Sequence, residues 1–201
     1  MTTIIWLVPV IIAQWIVIFY PGVLVFWLVV HNNIHKLRPL GTRAYWVAAG
    51  AWLMTSGPIV FFRKEIFSVR WVATSSLQLI SISLGVVLFL LGVVMYTLAK
   101  RQISPRTMVG FPELKPEENK QLMLQRGIYA RTRNPLYFGY WLLVLSAALL
   151  TNYAASWIMF GSNCLFLPLL MRAEERELLV RYGSDYAAYM RRVPRFFPQL
   201  R

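Results

Sequence analysis

The chain has 201 residues, 58% of them hydrophobic and only 14% charged, with a formal net charge of +13. A soluble domain is about half apolar and about a quarter charged, so the long charge-free runs here indicate an integral membrane protein. The basic residues lie beside those runs, where lysine and arginine favour cytoplasmic loops and anionic headgroups, and no compact basic domain or base-stacking motif marks nucleic acid as a partner.

Five apolar segments, 4–30, 44–62, 77–99, 136–150 and 154–171, contain no Asp, Glu, Lys, Arg or His and are predicted to be transmembrane helices. The first would be about 40 Å long against a bilayer core of about 30 Å, and Pro21-Gly22 is expected to kink or break it. Its length exceeds that of a signal-peptide apolar region, so it is expected to be retained as a span. The fourth is short, about 22 Å by the same rise. With the N-terminus outside, the cytoplasmic loops hold 18 Lys and Arg and the exterior ones 3. That bias predicts a multi-pass protein with its N-terminus outside and its C-terminus cytoplasmic, and a bacterial-type inner or cytoplasmic membrane is the expected location. Arg63, Lys64 and Arg70 fall on the exterior side against the trend.

The loop 100–135 carries Pro105, Pro112 and Pro116. Pro116-Glu117-Glu118 followed by Gly127 has the start and stop signals of a short helix, while 121–133 fits helix or extended chain equally. At Asn134-Pro135 an N-cap and a first helical residue announce the fourth helix. The last helix is expected to continue through Glu174, Glu175 and Leu178 to Tyr182, with Gly183 ending it and Ser184 capping another. Leu178, Tyr182, Tyr186, Tyr189 and Val193 form one apolar and aromatic face. Glu177 with Arg181 has the spacing of a surface i, i+4 pair.

The spans lack the ionisable groups that ion-coupled transport uses, and no Ser/His/Asp arrangement is present. Cys164 has no intrachain disulfide partner. His31 and His35 lie four apart without the Glu of a zincin motif, so an interfacial role is expected and no metal site is assigned. What remains is chemistry carried by a bound cofactor. Only Thr151-Asn152-Tyr153 separates the last two apolar runs, so a helical hairpin would bring Arg131 and Arg133 to the same membrane face as Glu174 and Glu175. The arginines can grip a carboxylate, the glutamates an ammonium, and Tyr129, Tyr137, Tyr182, Tyr186 and Tyr189 can pack an adenine or face a cation. S-adenosylmethionine suits that inventory. The same residues also fit headgroup snorkelling and an aromatic belt.

Gly127-Ile128-Tyr129, Arg133-Asn134-Pro135-Leu136-Tyr137-Phe138-Gly139, Glu174-Glu175-Arg176-Glu177-Leu178, and Gly183-Ser184-Asp185-Tyr186-Ala187-Ala188-Tyr189 with Val193-Pro194-Arg195 follow in that order. Together they resemble the isoprenylcysteine carboxyl methyltransferase and phospholipid methyltransferase family over roughly residues 120–198. Asn134 stands where that family has His, and an amide cannot titrate near neutral pH.

The resemblance implies an all-α integral membrane protein of about five transmembrane helices, with a C-terminal helical hairpin and a cytoplasmic cofactor pocket. Residues 1–201 form a single membrane domain, with 1–99 as a three-helix scaffold and 100–201 as the cofactor-binding catalytic part. The implied activity is S-adenosylmethionine-dependent methyl transfer at the membrane–cytosol interface to a lipophilic acceptor: a prenylcysteine-like carboxylate, a phospholipid amine, or a small lipophilic thiol or acid. Arg133, Asn134 and Glu175 are the implied catalytic residues. Gly127, Tyr129, Arg133, Asn134, Pro135, Tyr137, Glu174 and Glu175 are the implied cofactor contacts, and Arg191, Arg192 or Arg195 would orient an acidic headgroup. Expected partners are the lipophilic substrate and membrane lipids. The alternatives are an NADPH-dependent membrane sterol reductase, whose similar Arg-His-Pro stretch usually places an acid where Tyr140 stands, and a non-catalytic scaffold or lipid-binding protein.

Overall fold

In a computed structural model of the protein, residues 2–70, 75–108, 114 and 123–199 are described. Five long helices carry the chain: α1 Thr2–Asn32, α2 Ala44–Phe61, α3 Ser75–Lys100, α4 Pro135–Thr151 and α5 Ala154–Arg192. Four helical stretches are long and apolar enough to cross a membrane, whereas α4 is shorter at 17 residues. α1 passes through Pro21-Gly22 as one continuous helix. The proposed helix start at Pro116-Glu117-Glu118 lies outside the described residues.

α1, α4 and α5 form the centre, with α2 packed on α1 and α3 packed on α4. The flanking helices turn apolar side chains outward: Met54 of α2 is 82% exposed and Leu79 of α3 64%. Side chains apolar on all faces with such exposure suit lipid rather than water.

Small residues let α3 and α4 approach closely. A Cβ built on Gly139 would lie 2.9 Å from the Tyr96 backbone nitrogen and 3.2 Å from the Gly92 carbonyl oxygen. Without a hydrophobic force between helices in lipid, this kind of backbone approach is a main source of helix association. Buried polar pairs add to it. Tyr20 Oη donates to Asn163 Oδ1 at 3.0 Å, joining α1 to α5, and Ser81 Oγ donates to the Leu149 carbonyl at 2.9 Å, joining α3 to α4.

The hairpin between α4 and α5 turns on Asn152, whose backbone is left-handed at φ 50°, a conformation that Asn tolerates better than most residues. Its Oδ1 accepts from Trp157 Nε1 at 3.0 Å. Arg70 packs 4.7 Å over the Tyr153 ring and donates to its hydroxyl at 2.8 Å. One of the three basic residues that ran against the charge trend is therefore a latch on the hairpin turn.

α5 is 39 residues long, and its backbone leaves helical geometry at Gly183, at φ 55° and ψ −127°. The apolar part, 154–171, thus continues into a charged extension that bends at the glycine expected to end it. Beyond the bend, Tyr186, Tyr189 and Val193 are buried together, with Leu178 and Tyr182 against them, as the spacing predicted.

Candidate functional site

The first turn of α4 and the charged extension of α5 meet because the hairpin reverses the chain. Arg133 and Glu175 are 42 residues apart, and Arg133 Nε and Nη2 lie 2.9 and 2.8 Å from Glu175 Oε1. Glu175 Oε2 is held at 2.8 and 2.7 Å by Arg195 Nε and Nη2. Arg133 Nη1 also donates to the Met190 and Val193 carbonyls at 2.7 and 3.0 Å. Those oxygens lie at the C-terminal end of α5, where helix carbonyls lack partners and a cation is favourable.

The expected roles therefore separate. Arg133, read in the sequence as a grip for a ligand carboxylate, has its guanidinium committed to Glu175 and two carbonyls. Glu175, read as a partner for an ammonium, has both oxygens committed to arginines. Arg195 serves that cluster, and Arg192 Nη2 donates to Gln125 Oε1 at 3.1 Å. Neither Arg131 nor Gly127 lines the hollows described below. Gly127 instead opens the 3₁₀ turn Gly127–Ala130 at φ 58°.

Asn134 precedes α4 as predicted, with Pro135 as the first helical residue, but its side chain does not cap the helix. Its Nδ2 donates to the Arg195 carbonyl at 2.9 Å. The C-terminal tail is tied to this loop at further points. Arg133 N donates to the Pro194 carbonyl at 2.9 Å, and Gln199 N to the Arg131 carbonyl at 3.0 Å. Thr132 Oγ1, fully buried, lies 2.8 Å from the Phe196 carbonyl and 3.3 Å from that of Arg195. The sequence reading missed Thr132, since nothing in its neighbours shows that a tail 63 and 64 residues later will cover it.

Two hollows of about 120 and 100 Å³ adjoin this framework. Arg133, Asn134, Tyr129 and Glu174 line both. The first runs toward the apolar centre between Leu24, Trp27, Pro135, Tyr137 and Leu170, and also takes in His31. Walls of the second include Leu178, Arg181, Tyr182, Tyr186 and Tyr189. Glu174 differs from Glu175: its Oε2 is buried and has no hydrogen-bond partner among the described residues. A buried carboxylate oxygen left without a donor favours a cationic ligand beside it. Burial first, and then the charge of Glu174, push the Tyr129 phenol well above the usual tyrosine range, so it stays protonated. Its carbonyl accepts from Tyr189 Oη at 2.6 Å.

Glu177 also departs from expectation. It is 9% exposed rather than on the surface, because the end of α1 covers it. Its carboxylate receives Arg181 Nη2 at 2.6 Å, Arg38 Nη2 at 3.4 Å and His31 Nδ1 at 3.3 Å. His31 is buried and His35 exposed, so the two rings face different surroundings.

The phospholipid methyltransferase family model matches residues 80–185, which include the α3–α4 crossing, the Arg133 loop and both glutamates. No curated protein and no solved structure matches the chain.

Proposed function

The chain belongs to the phospholipid methyltransferase family, a family of membrane methyltransferases, and from that premise we propose that it transfers the methyl group of S-adenosylmethionine to a lipophilic acceptor. The reading rests on Glu174 Oε2, an anionic oxygen without a hydrogen-bond partner among the described residues, on the wall shared by the two hollows. The cofactor presents an ammonium and a sulfonium, and either suits that oxygen. Tyr129, Tyr182, Tyr186 and Tyr189 offer aromatic faces for a ring or a cation. The sulfonium, when bound, supplies a methyl group attached to a good leaving group, which leaves the protein mainly positioning to perform.

In this reading the second hollow takes the cofactor and the first takes the acceptor, whose apolar part would lie against Leu24, Trp27 and Leu170. Arg133 and Glu175 act as positioning residues that hold the tail and the start of α4 in place. Asn134 fixes the Arg195 carbonyl and lines the place where the hollows meet. The loop charges favour a cytoplasmic mouth for the cofactor side.

The test is thermal unfolding of purified protein in detergent, followed by transfer of labelled methyl into a total lipid extract. S-adenosylmethionine or S-adenosylhomocysteine should raise the melting temperature, and Glu174→Ala should abolish the rise. Stabilisation by NADPH alone would favour a reductase. No response to any of the three, with no labelled lipid, would leave only the non-catalytic reading.

A further inference from the structure

We propose that a groove on the side of α5 turned away from the two hollows binds an anionic phospholipid, whose phosphate sits between Arg172 and Arg176 and whose acyl chains follow the apolar face into the bilayer. The inference does not depend on the methyl-transfer reading, because neither arginine lines either hollow.

The groove, about 710 Å³, lies open between the end of α1, the charged extension of α5 and the C-terminal tail. On α5, Leu169, Arg172, Arg176 and Leu179 border it at spacings of three, four and three, which is one side of a helix. The hollows take Leu170, Glu174 and Leu178 from the same helix, on roughly the opposite side. A molecule in the groove is thus separated from the proposed cofactor and acceptor by the thickness of α5.

Position along the helix sets the depth. The charge-free run of α5 ends at Met171, so Arg172 is the first charge beyond it, and Arg176 follows about 6 Å farther along the axis. On the membrane side of Arg172, Leu165, Phe166 and Leu169 are exposed. An apolar surface that gives way to two cations within one turn matches a phospholipid, with its chains along the first and its phosphate between the second. A soluble anion would leave the apolar part of that surface unused.

The charges select the same occupant. Arg172 and Arg176 are exposed and make no hydrogen bond or ion pair among the described residues. Arg195 borders the groove from the tail, with Nε and Nη2 spent on Glu175. Glu175 is the acid on that wall, and Arg133 and Arg195 already offset it. The groove therefore carries an excess of positive charge, and arginine suits a phosphate in both charge and geometry.

The test is full-length protein in detergent, titrated with phosphatidylglycerol or phosphatidylcholine and read by native mass spectrometry. The wild type should hold phosphatidylglycerol about thirtyfold more tightly than phosphatidylcholine, and Arg172→Gln with Arg176→Gln should lose most of that preference. Lys36→Gln with Arg43→Gln removes the same charge from exposed positions off the groove and should keep it. Phosphatidylglycerol should raise the melting temperature of the wild type and of this control, but not of the arginine variant, and inorganic phosphate should raise none. In the unmodified protein, phosphatidylglycerol with a photoreactive group near the top of one acyl chain should label residues 165–169 above the other exposed apolar faces. Equal losses in the two double variants would reduce the effect to net charge and overturn the site. Equal affinity for the two lipids, uniform labelling, or the same stabilisation by inorganic phosphate would also overturn it. Selective binding by a protein that methylates no lipid would leave the groove standing and sink the methyl-transfer reading alone.

Discussion

Arg133 and Glu175 lie 2.8 Å apart across the mouth of the α4–α5 hairpin, with side chains 7% and 4% exposed. Two charges so well removed from water are stable only as a hydrogen-bonded pair, and removing one partner leaves the other buried and uncompensated. Arg195, 37% exposed, completes the cluster from the C-terminal tail. The cluster is thus a clamp between the start of α4, the end of α5 and the tail.

Glu175→Ala is accordingly expected to destabilise the protein by about 3–5 kcal/mol, which lowers the melting temperature by on the order of 10 °C. Glu174→Ala removes a carboxylate whose Oε2 has no hydrogen-bond partner among the described residues, so the ligand-free melting temperature should stay level or rise slightly. Thermal unfolding of both variants in detergent, without cofactor, checks the contrast. Equal effects would mean that the two adjacent acids do not divide their roles as proposed.

At the α3–α4 crossing, Gly139→Ala should cost about 1–3 kcal/mol, because the added methyl meets backbone atoms of Tyr96 and Gly92, which cannot rotate away. Gly161→Ala is the control: nothing lies within 4 Å of its Cβ position. Alanine is the better helix former, so that variant should melt at or slightly above the wild-type temperature. If Gly139→Ala behaved like the control, the close approach of the two helices would not contribute to stability.

The tail depends on Thr132. Thr132→Val keeps the shape and removes the hydroxyl that bonds the Phe196 carbonyl, for an expected loss of about 1–3 kcal/mol. Hydrogen exchange should rise at the amides tied to this loop, including Gln199, and Thr132→Ser should restore protection. Unchanged exchange in the valine variant would show that the tail is held chiefly by Phe196 and Phe197 against Phe138 and Trp141.

What local composition governs was legible in the sequence. Charge-free runs of this length satisfy their backbone in lipid as helices, so all five apolar segments are helical close to where the residues placed them, and four helical stretches are long and apolar enough to cross a membrane. Pro135 opens α4, Gly183 bends α5, and the spacing of Tyr186, Tyr189 and Val193 made one buried face, because each is a property of a few neighbouring residues. The tertiary structure alone decided how adjacent or similar charges divide. Glu174 and Glu175 are indistinguishable as a dipeptide, but successive helical positions point about 100° apart. One therefore meets two arginines and the other faces a hollow. Glu177 with Arg181 read as a surface pair until the end of α1 covered it and brought His31 to the same carboxylate. Asn134 carried the signal of a helix cap, while the tail drew its amide to Arg195. Partners 60 or 140 residues distant leave no local trace, because burial and pairing are set by which helix faces meet rather than by the identity of the residues on them.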